Sequence, residues 1–541
     1  MSEKRRLLHA AGLIGAFTLF SRFTGLLRDM VLAALFGATR LADTFNTSFE
    51  LVNQIRRVLG EGALSSFIVP IFTEHRHADP KEAWRFFNRT VNFMVIACIG
   101  ISIAGMIYAR EVFMAFGGIA LVQLQKQGKL AGSEVEHYLA LGAEMTAIMF
   151  PYVIGIALVA LFMGACHALR SFTAPSIGSV MLNLAMIIAG GGALAAGAEM
   201  EAAAYWLCWS VLAGALLRLA IMVPPLHQNG WRWQPVLSLR DPQLRKLLGM
   251  IGLGMIGMTL SQLNVAISGF FAWYLGEGIK TNITYANRLI QLPMALTATA
   301  VATALLPQLT QFLIEGRRRE LRDMMSFIKR LEIVFMVPAV VALILLGYPI
   351  TALVFERRAF TADDTWGTYL ALMAYAPGLL PLGWVRLLQP LYYARKDLWT
   401  PLYSGAVSVV VNVALNWFFA FHTGLAQIGL GFSNTLASFA GYLVLSYFLK
   451  GDLRPQDGET TRIGETFGKS LIGALVACGI GLGGYVGWIY RFGEPAGSLR
   501  LALVLLPILV IVSILYFAMI RFLDVPDSAR AAEILRRKFR V

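Results

Sequence analysis

Apolar windows of about twenty residues or more recur along the whole of this chain, and no other feature limits its fold as strongly. A helix rises about 1.5 Å per residue, so a window of about 20 apolar residues crosses a hydrocarbon layer of about 30 Å. Gly and Pro inside the windows, and lengths well beyond the short alternating strands of a membrane barrel, select helices. The windows fall near 8–37, 42–73, 86–109, 139–169, 173–198, 202–226, 244–275, 281–313, 327–355, 366–393, 400–422, 425–449, 466–490 and 499–523. Composition agrees, because 57% of the 541 residues are hydrophobic and only 14% are charged. A soluble domain carries about 25% charged residues. The sequence therefore predicts an all-α integral membrane protein of about fourteen transmembrane helices.

The formal charge of +14 is distributed as a topology signal and not as a nucleic-acid surface. With the N-terminus inside, the inner segments collect about 30 of the Lys and Arg residues and the outer segments about 9. The spans hold the others: Arg22, Arg28, Arg56, Arg57, Arg218, Arg288 and Arg386. Both termini are thus expected in the cytoplasm. Lys4, Arg5 and Arg6 precede an apolar run that continues through Arg22 without a small-residue cleavage site, so a retained first span is expected and not a signal peptide. Arg317, Arg318, Arg319 and Arg322 in one inner loop, and Arg530, Arg536, Arg537, Lys538 and Arg540 in the tail, read as orientation signals and contacts with anionic lipid. Cys98, Cys166, Cys208 and Cys478 lie in apolar segments with no paired spacing, which gives neither a disulfide framework nor a zinc site.

Against this background the stretch from Ser21 to Pro70 carries charges that lipid does not tolerate. Asp43, Asn46, Glu50, Asn53, Arg57 and Glu61 are spaced by three or four, which is one face of one helix. That polar face must meet protein or water. Upstream, Arg22, Arg28 and Asp29 interrupt the first span. Gly25 is placed to bend that helix and bring both guanidinium groups to one cavity. A charged side chain at mid-membrane costs about 2.5–3.5 kcal/mol on insertion scales, so each is a functional candidate, with a structural ion pair as the plain alternative. Arg22 lies too far along the helix, about 20 Å from Leu8, to reach the interface by snorkelling.

Two internal echoes point to a duplication. Ser66–Thr73 resembles Thr303–Thr310 at an offset of 237, and Ala168, Arg170 and Pro175 resemble Ala394, Lys396 and Pro401 at an offset of 226. Spans one to six would then match spans seven to twelve in the same orientation, a parallel repeat of the kind transporters use. The second half has its own intramembrane cation, Arg288, on one side of a helix with Thr284, Asn287 and Gln291. By the duplication it is expected to face the same cavity as Arg57.

Other motifs carry less. Gly252, Gly254 and Gly257 spell G-x-G-x-x-G, but no strand precedes them and helix contact explains them. His75 and His77 lack the further ligands of a metal site. No Walker A motif or nucleophile and base pair stands out, so a transporter is expected and not an enzyme.

A cavity holding Arg22, Arg28, Arg56, Arg57 and Arg288 suits an anion, because guanidinium forks match phosphate oxygens and stay charged when buried. A cation exporter would prefer an acidic cavity. The run Ser21-Arg22-x-x-Gly25-x-x-Arg28-Asp29, then Gly37-Ala38, Asp43, Asn53, Arg56-Arg57, Glu61-Gly62-Ala63 and Val69-Pro70, resembles the signature of the MurJ (MviN) lipid II flippases. So do Tyr285-Ala286-x-Arg288-Leu289 with Pro293, Leu306-Pro307, and Tyr393-Ala394-Arg395-x-Asp397-x-x-Thr400-Pro401.

The resemblance implies the MOP-type transporter fold, with six-helix lobes at 1–226 and 244–450 joined by a cytoplasmic linker, 227–243. Residues 451–523 would add two helices forming a groove for a polyprenyl tail, ahead of a basic tail, 524–541. It also implies export of the undecaprenyl-diphosphate-linked peptidoglycan precursor, lipid II, from the inner to the outer leaflet of the bacterial cytoplasmic membrane by alternating access. Arg22, Arg28, Arg57 and Arg288 match the family's cavity arginines, Asp29 the acid that pairs with them, and Arg56 joins the same site. Asp43, Glu50, Asn53, Glu61, Asn287 and Gln291 are the candidates for gating or ion coupling. Some members have acids where this chain has Asn287 and Gln291, and a Lys in place of Glu50. No cofactor is expected; membrane potential or a monovalent ion is the expected energy source, with membrane lipids and other cell-wall synthesis proteins as further partners. Alternatives from the residues alone are a flippase for another polyprenyl-diphosphate-linked oligosaccharide, a MATE-like exporter and a non-transporting membrane scaffold.

Overall fold

The computed structural model describes residues 3–58, 64–238, 264, 266–296, 308–449, 461–495 and 497–526, with 245 and 249 as isolated positions. Glu61 with Gly62 and Ala63, the Gly252–Gly257 motif, Leu306-Pro307 and the basic tail lie outside the described residues. The chain divides into two compact units, Met1–Lys280 and Thr281–Val541.

The first unit begins with α1 (Glu3–Phe36), α2 (Arg40–Val58), α3 (Leu64–Ala78) and α4 (Pro80–Ile107). Asp79 starts α4 in an extended conformation, accepting the Lys81 N–H at 2.8 Å, and Pro80 fills a first-turn position where no N–H is needed. The segment between the third and fourth windows is folded into α5 (Ala109–Phe113), one π turn (Met114–Gly118) and α6 (Ile119–Lys126). Gly117 in that turn lets the indole of Trp273 approach, since a Cβ there would sit 2.7 Å from its Nε1. The fourth span is two helices, α7 (Gly132–Met149) and α8 (Tyr152–Ala168), because Pro151 has no N–H to continue the ladder. α9 (Thr173–Ala196), α10 (Met200–Gln228) and α11 (Ala266–Leu275) complete the unit. α8 is buried along most of its length and receives α3, α4 and α10, with Phe87, Phe162 and Trp231 meeting in the core beside it. After α10 the chain is strapped along α4, where Asn88 donates to the Arg232 carbonyl and accepts from Trp231, and Asn92 does the same for Gln234 and Trp233.

The second unit takes in α12 (Ile279–Leu296) from Thr281 onward, then α13 (Arg318–Leu345), α14 (Gly347–Phe355), α15 (Ala362–Tyr375), α16 (Leu379–Ala394), α17 (Trp399–His422), α18 (Ala426–Phe448), α19 (Ile463–Phe492) and α20 (Ser498–Phe522). The ninth window, expected as one span, bends by 77° between α13 and α14. Gly347 permits the break, because a Cβ there would lie 3.0 Å from the Tyr369 ring, and the Tyr369 hydroxyl donates to the carbonyl of Ile344 at 2.9 Å. Among the described residues, nine helical segments are long and apolar enough to cross a membrane, ten if the bent pair counts as one span, and no strand occurs. α2 is absent from that set because its polar stripe lowers its hydropathy.

At the second of the two sequence echoes, the helix boundaries recur at the same offset. Helices end at Ala168 and Ala394, restart at Thr173 and Trp399, end at Ala196 and His422, and restart at Met200 and Ala426, each pair 226 residues apart. Both first endings close with the same turn, in which Arg170 and Lys396 take positive φ (57° and 62°) and the next N–H returns to a carbonyl five residues back.

Candidate functional site

α1 carries Arg28 and Asp29, only 6% and 3% exposed, into the interior of the first unit. Arg28 donates from Nε and Nη2 to Asp29 Oδ1 at 3.0 and 2.7 Å, and from Nη1 to Oδ1 of Asn183 on α9 at 3.1 Å. The guanidinium also lies 5.6 Å from the ring centroid of Phe49 on α2. Asn183 completes the clamp by donating Nδ2 to the Ser21 carbonyl at 3.0 Å and to Thr24 Oγ1 at 3.3 Å. α1 passes through Gly25 as one continuous helix. Gly25 faces the Asn183 amide, whose Nδ2 lies 3.6 Å from where a Cβ would be, an ordinary contact distance. Arg22 is half-buried and stands outside this set of bonds, between the exposed Phe20 and Phe23.

The α2 stripe divides in two. Its first half is bonded to the segment 273–280. The Arg40 N–H donates to Glu277 Oε1 at 2.9 Å, Asp43 Oδ2 accepts the Gly278 N–H at 2.8 Å, Thr47 Oγ1 accepts Trp273 Nε1–H at 2.8 Å, and Glu50 pairs with Lys280. The spacing 40, 43, 47, 50 is one helical face used as a ladder. Asp43 is fully buried and Lys280 nearly so. Gly278 is obligatory, since it has φ +75° and a Cβ would lie 2.1 Å from the carbonyl oxygen of Ala38. The second half of the stripe, Asn53, Gln54, Arg56 and Arg57, is half-buried, with Arg56 Nε donating to Asn53 Oδ1 at 2.6 Å.

In the second unit, Thr284, Asn287, Arg288 and Gln291 are half-buried or exposed, whereas Tyr285, Ala286, Leu289 and Ile290 are buried. The polar face of α12 is therefore its accessible one.

Asn183, Trp273, Glu277, Gly278 and Lys280 were not selected from the sequence. Asn183 had a signal, as a polar residue isolated in an apolar window. Glu277 and Lys280 read as a loop between windows, and their partners are more than two hundred positions away. Among the named groups of the first unit, six cations (Arg22, Arg28, Arg40, Arg56, Arg57, Lys280) face four anions (Asp29, Asp43, Glu50, Glu277). A net positive, partly desolvated set attracts an anion.

Helices long and apolar enough to cross a membrane, with ion pairs buried among them, define a multi-pass membrane protein. The fold matches a solved structure described as lipid II flippase MurJ in an inward closed conformation, with a TM-score of 0.73, 21% identity and coverage of 95% of this chain and 99% of that one. It also matches an inward-facing MATE multidrug transporter of the MOP superfamily, with a TM-score of 0.62, 15% identity and coverage of 80% and 95%. The family model for lipid II flippase MurJ matches residues 32–492, and the chain belongs to that family. Its relatives include the lipid II flippase MurJ of Burkholderia cenocepacia, 28% identical over 94% of this chain and 95% of that protein, and a probable lipid II flippase MurJ of Rhizobium meliloti, 31% identical over 80% and 78%.

Proposed function

We propose that this chain flips lipid II from the inner to the outer leaflet of the cytoplasmic membrane, supplying the peptidoglycan precursor for cell-wall synthesis. It is a transporter and not an enzyme. The observation that carries the reading is the buried Arg28 cluster within a chain of this family. Of the five N–H donors of Arg28, Asp29 and Asn183 take three, and two are left to meet a diphosphate oxygen. Arg22, Arg56 and Arg57 extend the same positive region, and Arg288, on the accessible face of α12, is assigned a second contact with the headgroup.

Alternating access follows from the ladder on α2. While Asp43, Thr47 and Glu50 hold segment 273–280, the outer end of α2 is sealed; release of the headgroup requires those bonds to open. Glu61, outside the described residues, is assigned to gating or ion coupling. The finer architecture proposed is fourteen spans in two six-helix lobes, with α19 and α20 beside the polyprenyl tail and both termini cytoplasmic. Outward movement of an anion couples to membrane potential at about 2.3 kcal/mol per charge per 100 mV, which supplies a driving force without a cofactor.

The test is complementation of a strain depleted of its lipid II flippase by wild type, Arg28→Ala and Arg288→Ala at equal membrane levels. Rescue by wild type alone is expected. Rescue by both variants would overturn the arginine site, and failure of well-expressed wild type would overturn the lipid II assignment in favour of another polyprenyl-diphosphate substrate.

A further inference from the structure

One carboxylate in the second unit plays no part in the site above. Glu332 lies on α13, is 3% exposed, and neither carboxylate oxygen has a hydrogen-bond partner among the described residues. Its side chain fills a notch at Gly383 of α16, where a Cβ would come within 1.8 Å of Glu332 Oε1. Only glycine admits the carboxyl there. The charged groups acting on it are Lys329, one turn earlier on α13, and Arg386 on α16. Lys329 is turned to other partners: Nζ donates to the Tyr442 hydroxyl of α18 at 3.3 Å and lies 5.9 Å from the ring centroid of Trp384. Two other polar groups on or against this part of α13 are directed elsewhere, Arg330 donating to the Thr461 carbonyl and the Tyr516 hydroxyl of α20 to the Val334 carbonyl, while the indole N–H of Trp384, beside Gly383, is buried without a partner among the described residues.

An ionised carboxylate without a single hydrogen bond is among the costliest groups a protein interior can hold, and such a group takes up a proton instead. A metal ion is excluded as the neutralising partner by the neighbours themselves, since both nearby charges are cations. We propose that Glu332 is a proton-binding site of this transporter, protonated while it occupies the Gly383 notch and deprotonated when α13 and α16 shift so that it reaches Lys329 or Arg386. The proton binds to one carboxylate oxygen and leaves from it, and the change in charge is met by a cation already in place. The surrounding helices have the joints that such a shift needs. α13 contains Pro338 and ends at the 77° bend, and α16 contains Pro381 and Pro390 and follows a short 3-10 turn at Ala376–Gly378. Two discrete arrangements, one with a neutral buried acid and one with an ion pair, make a proton-sensitive element within this unit.

The test uses the full chain in lipid nanodiscs and infrared difference spectroscopy across a pH titration, without substrate, so its outcome is independent of the lipid II assignment. The expected result is a protonated-carboxyl carbonyl band that disappears on alkalinisation and is missing in Glu332→Gln. Gly383→Ala, which expels the carboxyl from its notch, should move loss of that band to lower pH and serves if the glutamine variant does not fold. A band unchanged by Glu332→Gln, or a titration unmoved in a folded Gly383→Ala protein, overturns the proposal. In proteoliposomes, the pH profile of lipid II translocation should flatten in Glu332→Gln; a profile identical to wild type would show that the site plays no part in transport.

Discussion

Arg28 is held on two sides, and the second holder, Asn183, makes a sharper test than the arginine itself. Asn183→Leu keeps the branching and heavy-atom count but removes the acceptor, leaving one N–H of a buried guanidinium unmatched and taking the amide donor from the Ser21 carbonyl, which keeps only the Thr24 hydroxyl among side chains. A cost of about 1–3 kcal/mol is expected, read as a lowered thermal midpoint in detergent, together with weaker binding of lipid II. Asn183→Asp should keep the acceptor but add a carboxylate beside Asp29, so lipid II binding should fall while the midpoint is better preserved. Asp397 gives a second residue-scale prediction, outside the membrane. Its carboxylate accepts the Thr400 hydroxyl at 2.6 Å and the N–H groups of Trp399 and Thr400 at 3.0 Å, and these bonds, those of Thr400 foremost, hold its pKa below the usual aspartate value. A depressed folded pKa contributes stability that is present above the unfolded value, about 3.9, and is lost as pH falls through the lower folded value. Asp397→Ala should therefore cost about 1 kcal/mol near neutral pH, as loss of a helix-start cap does, and the gap from wild type should close on acidification below about pH 4. A gap independent of pH would show that the bonds contribute nothing through charge.

On the scale of helices, the latch proposed for α2 has four teeth, and the tooth with most charge is Glu50 to Lys280. Glu50→Lys and Lys280→Glu each leave two like charges in a nearly dry place, so each should abolish complementation; the double exchange should restore it. The coupling between two such neighbours is expected at about 0.5–3 kcal/mol in a double-mutant cycle. Additive losses would sink the latch. Gly278→Ala should be as damaging as either charge reversal, because the strain and the collision with Ala38 fall on the same turn that caps Asp43. The sequence made half of this visible. Spacing alone placed Asp43 and Glu50 on one face, because helical periodicity is local and needs only a handful of neighbouring residues. What that face meets is decided by residues 273–280, and one sequence without relatives contains no statement of which distant residues touch. The same division appears at Gly25, which spacing places between Arg22 and Arg28, while the amide it faces lies on α9 and is not legible from the sequence. The offset of 226 was legible because helix boundaries follow turn residues such as Arg170 and Lys396, which recur at that spacing.

For the whole molecule, hydropathy located most of the membrane helices because about 20 apolar residues are a strong local signal. It read breaks poorly, since Pro151 and the Leu346–Gly347 junction lie inside windows whose mean apolarity is unaltered by a change of direction. Orientation is a property of the entire chain and rests on the summed placement of Lys and Arg. It has a direct consequence for the proposed transport, because the latch on α2 closes the outer face only if the N-terminus is inside. Lys129, after α6, and Arg319, at the start of α13, are both exposed and should then lie on opposite sides of the membrane. The four native cysteines are buried, so single exposed cysteines can be read against a quiet background. In intact spheroplasts a membrane-impermeant maleimide should label Lys129→Cys and leave Arg319→Cys unlabelled until the membrane is opened. The reverse pattern would put the latch on the cytoplasmic side and invert the proposed cycle, with the ladder then guarding entry of the headgroup and not its release.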